Sequence, residues 1–459
     1  MSVQAGFLVP HPPLLVPEVG EGQEEDLAAT AKQYDIIARR VAALLPETVV
    51  IISPHSTVYS DYIHISPGKG AKGNLKQLGA GHQFEVAYDQ DLARALEDAC
   101  AKNNVAAGGV GEHSPELDHG VMVPLYFFGQ YCEDFRVLRI SASGLPREDL
   151  YHFGMLLAKA AETIGRRIVV VASGDLSHRL AASSPYGYAP EGAVLDETLT
   201  GIIKTGDFYR LFEIDESLSE KGADCALGPM VILAGALDGK ALRHGLLSYE
   251  GPFGVGYATG AFEILGEDEN RLFHKKRMDA IKAEMRRLRR KEDAYVKLAR
   301  LALETYVKTG KLPPLPERLP VELIRGRSGA FVTLKKRGQL RGCIGTDSAT
   351  KDTLADEICH NSVEAGTQDP RFSPVEKWEL SELVYSVDVL FPAVPATKDE
   401  LDPAVYGVIV SSGRKQGLIL PGQDGIDTAE EQLALARNKA GIPDGKPFAI
   451  ERFEVARHR

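Results

Sequence analysis

Three histidines leave apolar runs in the same manner. His11 follows GFLVP and opens HPPLL, His55 follows VVIISP and opens HS, and His178 closes the stretch IVVVASGDLSH that begins at Ile168. Continuous β-branched runs of this kind read as strands buried on both faces, and open α/β sheets gather ligands and catalytic groups beyond the carboxyl ends of such strands. One histidine after a strand is an ordinary loop residue. Three in the same position are expected to meet in one site.

Two neutral imidazoles and one anionic ligand, with other coordination positions left open, suit non-haem Fe(II) that must accept both a substrate and dioxygen. His11 and His55 are the candidate imidazoles. The third donor is sought on a helix facing the site, where Ala223-Asp224-Cys225-Ala226 places a carboxylate beside a thiol. Neighbours on a helix point about 100° apart, so only one of the two can address the ion. His178 is better used as an acid/base, because an imidazole titrates near neutrality and can take and return a hydroxyl proton. His119, expected in a turn within Leu117-Asp118-His119-Gly120, would hold a substrate oxygen.

The elements that position these residues follow from periodicity. Strands are predicted at Gln4–Val9, Thr48–Ser53, Phe135–Ala142 and from Ile168, and helices at Glu24–Leu45, Asp89–Lys102, Leu150–Ile164 and Gly192–Lys204. The order strand, helix, strand at the start implies that the first two strands form a parallel pair. Ser219–Gly239 holds a helix rich in small residues around Cys225, Leu227, Met230 and Leu233, and the Gly-punctuated stretch Leu246–Leu265 reads as a hairpin closing the domain. The fold class is therefore an α/β N-terminal domain with a largely parallel central sheet flanked by helices.

At 459 residues the chain exceeds what one core serves, so at least two domains are expected. The boundaries are placed at residues 1–266, a connector at 267–293, and 294–459. Between Arg271 and Lys291 ten Lys/Arg face two Asp/Glu, the pattern of a solvated basic helix rather than a Gly/Ser linker. The remainder mixes strand signals at Gly329–Leu334, Val384–Leu390 and Gly407–Val410 with helices at Thr353–Ala365 and Thr428–Ala440, a smaller α+β domain. A net charge of -11 argues against a dedicated nucleic-acid binder. No apolar run reaches membrane-spanning length and the N-terminus lacks a secretory pattern. Five widely spaced cysteines without a CxxC pair fit reduced thiols, and a cytoplasmic location is expected.

These residues carry a resemblance. Val3–Gly266 resembles the LigB-like catalytic subunit of class III extradiol ring-cleavage dioxygenases, and more closely its Memo branch, through His11 in VPHPPLL, His55 in ISPHS, Asp118-His119-Gly120 in LDHGVMVPL, and Ser177-His178 in SGDLSH. The resemblance implies a small, catechol-like aromatic substrate, His11 and His55 as iron ligands, His178 as acid/base and His119 in the substrate pocket. The departure lies at the third ligand: ring-cleaving members carry Glu where this chain, like Memo-type proteins, has Cys225. A thiolate is softer than a carboxylate and widens the metal choice from Fe(II) to Zn or Cu(I). That leaves two alternatives to ring cleavage, a Memo-like binding module without turnover and a zinc-type hydrolase.

Ala294–Val455 resembles an AMMECR-type domain through Leu340-Arg341-Gly342-Cys343-Ile344-Gly345, Asp369-Pro370-Arg371-Phe372 and Gly417-Leu418-Ile419-Leu420-Pro421. Arg341 has the planar fork to grip a carboxylate or phosphate, or to form a buried ion pair. Cys343 is either a reactive thiol beside that charge or a packed core residue. The fusion resembles the AmmeMemoRadiSam group, which implies a radical-SAM protein as partner; this chain has no CxxxCxxC motif of its own.

Overall fold

The computed structural model describes residues 2–423 and 425–459. The chain divides into two compact units, Met1–Met278 and Asp279–Arg459. The division falls inside the expected basic connector, which forms a helix at Phe273–Lys291. Among the described residues no helix is long and apolar enough to cross a membrane.

The first unit is built on a six-stranded sheet of β1 (Val3–Val9), β2 (Thr48–Ser53), β3 (Arg136–Ser141), β4 (Ile168–Ser173), β5 (Lys240–Glu250) and β6 (Tyr257–Glu267). Their order across the sheet is β3-β2-β4-β1-β6-β5. The first four run parallel. The closing hairpin β5–β6 pairs antiparallel with β1 through β6. The expected β1–β2 pair is corrected: both strands are parallel in one sheet, but β4 lies between them and hydrogen-bonds to each.

Both faces of the sheet are covered, which is why the strands read as unbroken apolar runs. Val49, Ile51, Val169 and Val171 enter one core with helix α1 (Ala28–Leu44) and helix α2 (His119–Phe128). Val50, Ile52, Val170 and Ala172 enter another with α3 (Arg147–Thr163). The Gly-rich segment after β2 contains a hairpin of Gly70–Asn74 with Gln83–Ala87.

Two local expectations change. His119 is not in a turn but is the first residue of α2, with Asp118 at its N-cap position. The helix expected within Ser219–Gly239 is present but does not include Cys225: α4 (Glu216–Gly222) ends at Ala223, which adopts a left-handed φ of 53°, and α5 (Leu227–Ala236) starts four residues later. Asp224 and Cys225 lie in the break between them.

The second unit holds two antiparallel sheets. β7 (Ala330–Lys336), β8 (Gln339–Gly345), β9 (Leu383–Leu390) and a last strand, Val455–His458, form the first in the order β8-β7-β9-last. α6 (Ala294–Thr309) and α7 (Leu354–Thr367) bury one of its faces with Val332, Leu334, Tyr385 and Val387. The second sheet contains Gly407–Ser412, Lys415–Ile419 and Ala449–Phe453, with Ala429–Ala440 as its helix.

Candidate metal centre

Because β1, β2 and β4 are parallel neighbours, their carboxyl ends emerge along one edge, and the residues that follow them converge. His55 Nε2 lies 3.0 Å from His11 Nε2. Cys225 Sγ lies 3.6 Å from the same nitrogen, and the three donor atoms are all within 4.8 Å of one another. Bonds of about 2.1 Å to nitrogen and about 2.3 Å to sulfur place neighbouring ligand atoms roughly 3–4 Å apart around one ion. The donor set fits a transition metal on chemistry and on these two spacings.

The hydrogen-bond network orients the donors. Ser173 donates its hydroxyl proton to the Gly120 carbonyl (2.6 Å), so its oxygen accepts from His11 Nδ1–H (2.9 Å) and the His11 Nε2 lone pair is left facing Cys225 and His55. Fixing the tautomer of a ligand histidine through its other nitrogen is the usual outer-shell role. Burial lowers the His11 pKa well below the usual value, with the charges of His119 and His178 acting in the same direction. His55 is lowered to about 4 by burial, then by His11 and His119. Both imidazoles are therefore neutral near pH 7, as ligands must be.

Cys225 is brought under β4 by close backbone contact. A Cβ on Gly174 would sit 2.4 Å from Ala226 Cα, so only glycine admits the break between α4 and α5 at this point. Asp224 turns away from the centre. Its Oδ1 accepts from Leu227 N–H (2.7 Å) at the start of α5 and its Oδ2 from the Ser219 hydroxyl (2.9 Å). Burial raises its pKa. The choice between the neighbours is thus made by the break and by this cap, not by helical phase.

His178 donates Nδ1–H to the Ala223 carbonyl (2.8 Å), an atom that can only accept, so Nε2 is the free, basic nitrogen. The ring of His119 lies against that of His55 at 4.2 Å between centroids, and at 5.1 Å from His11. All five N-terminal residues singled out from sequence are thus at one end of the sheet.

Asp175 was missed. It is buried, and its Oδ1 accepts from the His11 backbone N–H (2.9 Å) while Oδ2 lies 3.9 Å from His11 Nε2. Its own N–H points at Cys225 Sγ (3.2 Å), and the Cys225 N–H returns a bond to its carbonyl. Burial raises the Asp175 pKa, and burial followed by the Asp175 charge raises that of the Cys225 thiol. The only sequence signal was an acid inside SGDLSH, directly after a buried strand.

In the second unit Arg341 makes the ion pair rather than an open grip. Its Nε and Nη2 donate to Glu379 Oε1 (2.9 Å) and Oε2 (2.8 Å), and Lys336 reaches the same carboxylate. Burial works against the charge of Glu379, but these cationic partners prevail and hold its carboxyl below the usual range. Cys343 is half-buried on an edge strand: its N–H goes to Asp369 Oδ2 (2.8 Å) and its carbonyl accepts from Arg371, so the Asp369–Arg371 pair stands in for a neighbouring strand. Burial raises its thiol pKa. A Cβ on Gly342 would meet the Ala365 carbonyl at 2.1 Å, which accounts for the glycine between Arg341 and Cys343.

An α/β domain that gathers His, His and Cys side chains at the carboxyl edge of its sheet is thus followed by a separate α+β unit. Residues 5–260 match the catalytic LigB subunit of aromatic ring-opening dioxygenases and residues 296–458 match AMMECR1; the chain belongs to the LigB family in a two-domain fusion with an AMMECR1 domain. A protein of Clostridium acetobutylicum is 39% identical over the whole of both chains. One from Thermotoga maritima is 50% identical over 37% of this chain and 98% of its own length. The crystal structure of an uncharacterized protein from Pyrococcus horikoshii, 32% identical, covers 36% of this chain and 88% of its own with a TM-score of 0.34.

Proposed function

We propose that the N-terminal domain is a non-haem iron-dependent oxidoreductase of the extradiol ring-cleavage type, acting on a catechol-like or other small aromatic substrate. The observation that supports it is the convergence of His11, His55 and Cys225 donor atoms beside a histidine, His178, whose basic nitrogen is left free. An iron(II) ion held by those three residues would supply Lewis acidity and redox capacity. His178 Nε2 takes the proton of a substrate hydroxyl, because its other nitrogen is committed to Ala223, and returns it later in the cycle. His119, whose ring is tilted against that of His55, lines the substrate side. A radical-SAM protein is the proposed partner.

A second reading rests on Cys225. A thiol among the donors, with the raised Asp175 carboxyl beside it, favours a softer metal, Zn or Cu(I), and with it hydrolysis or ligand binding without turnover. Metal analysis of protein purified without added metal separates the readings, followed by anaerobic Fe(II) loading and oxygen uptake over a panel of catechols. Uptake by the iron-loaded protein supports ring cleavage. Stoichiometric zinc with no uptake supports the second reading.

A further inference from the structure

The C-terminal unit contains a cavity of about 1640 Å³ that the metal centre does not involve, since every residue lining it lies between Met285 and Arg459. In a chain of net charge -11, that lining carries seven Lys/Arg against four Asp/Glu. Three of the arginines are already paired: Arg289 with Glu304 (3.2 Å), Arg371 with Asp369 (2.6 Å) and Arg457 with Asp388 (2.7 Å). Among the described residues Lys335 makes no ion pair and Lys439 donates only to the Leu418 carbonyl (3.2 Å).

The sheet supplies the floor. Thr333 faces Cys343 on one neighbouring strand and Ser386 on the other, so a thiol and two hydroxyls form a row across β8, β7 and β9, one pleat away from Lys335. The Thr333 hydroxyl donates to Cys343 Sγ (3.2 Å). Phe331 continues the same face, and Leu418 lines the cavity from the second sheet. Hydrogen-bonding groups, uncompensated cations and apolar walls in one concavity are the features of a small-molecule site, and its low-dielectric walls strengthen the field of the two lysines.

We infer that this cavity binds a small organic anion, an apolar body carrying a carboxylate or phosphate, with Lys335 and Lys439 as counter-charges and the Ser386 hydroxyl as a donor. Anion recognition in this domain thus passes from Arg341, whose fork is filled by Glu379, to the cavity.

The test uses the full-length protein and calorimetric titration with 1-naphthyl phosphate, 1-naphthoate and the neutral 1-naphthamide. At least one anion is expected to bind about tenfold or more tightly than the amide, and the tighter anion identifies the head group. Lys335→Glu combined with Lys439→Glu should remove that preference; both side chains are exposed, so the fold, checked by circular dichroism, is retained. Alkylation of Cys343 by N-ethylmaleimide, read by peptide mapping, should be slowed by the anion and not by the amide. Equal binding of the amide, affinity unchanged by the double charge reversal, or Cys343 alkylation unaffected by saturating anion would overturn the assignment.

Discussion

Cys225→Ser and Asp224→Asn should have opposite signatures, because the first removes a donor and the second alters only a cap. Loss of outer-shell partners alone weakens metal binding roughly 10–100-fold, so loss of the thiolate should cost about 100-fold or more. Metal at 100 times its Kd stabilises the native state by about 2.7 kcal/mol; with a Kd 100-fold weaker the same concentration contributes only about 0.4 kcal/mol. The metal-induced rise in unfolding midpoint should therefore nearly vanish in Cys225→Ser, while the metal-free protein loses little, since a serine oxygen can still accept from Asp175 N–H. Asn at 224 keeps both of its bonds, Oδ1 accepting from Leu227 N–H and Nδ2 donating to Ser219. Asp224→Ala, by contrast, leaves those groups buried without partners and should cost about 1–3 kcal/mol with metal affinity largely retained. Cobalt(II) titration reads the outcome directly, through a thiolate charge-transfer band. Should that band survive in Cys225→Ser and disappear in Asp224→Asn, the geometry of the break has been misread.

Three further outcomes are expected. Gly174→Ala drives a methyl into Ala226 Cα, which should cost about 1–3 kcal/mol and lower cobalt affinity by displacing Cys225; unchanged affinity in a folded variant contradicts the packing argument. His178→Gln should keep the metal and lower turnover of any substrate found by about 10²–10⁴-fold, with a bound metal content equal to wild type as the control. Asp196, which accepts from Ser177 N–H and the Tyr249 hydroxyl, is raised to about 6 by burial. Its protonated form is the one the fold favours, so its contribution is complete below about pH 4, its ordinary value, and is lost as pH rises through about 6, amounting to roughly 2–3 kcal/mol. Asp196→Asn should therefore match wild type at pH 4 and exceed it at pH 7.5 in the thermal midpoint of this domain; a gap that does not grow with pH refutes the linkage.

How much of this could be read from the chain follows from what each feature depends on. The strand runs ending near His11, His55 and His178 were legible because burial on both faces makes them continuously apolar, and their shared direction then places the three imidazoles on one edge of the sheet. The order itself was not legible. Inserting β4 between β1 and β2 is a choice among crossovers that no local pattern records.

The break at Cys225 was hidden for a different reason. The residue that reverses the chain is Ala223, a strong helix former held at positive φ by tertiary contacts, with a helix on each side of it. The glycine that makes the break fit, Gly174, is nearly fifty residues away, just past the end of β4. Asp175 and Arg341 share that character. Each is polar and near a recognisable motif, but its role is set by a distant partner: the His11 backbone for one and Glu379 for the other. Long-range pairing of charged groups is chosen by the assembled fold, and that explains why the histidines at the strand ends were readable while the role of Asp175, and a Lys335 without an ion pair among the described residues, were not.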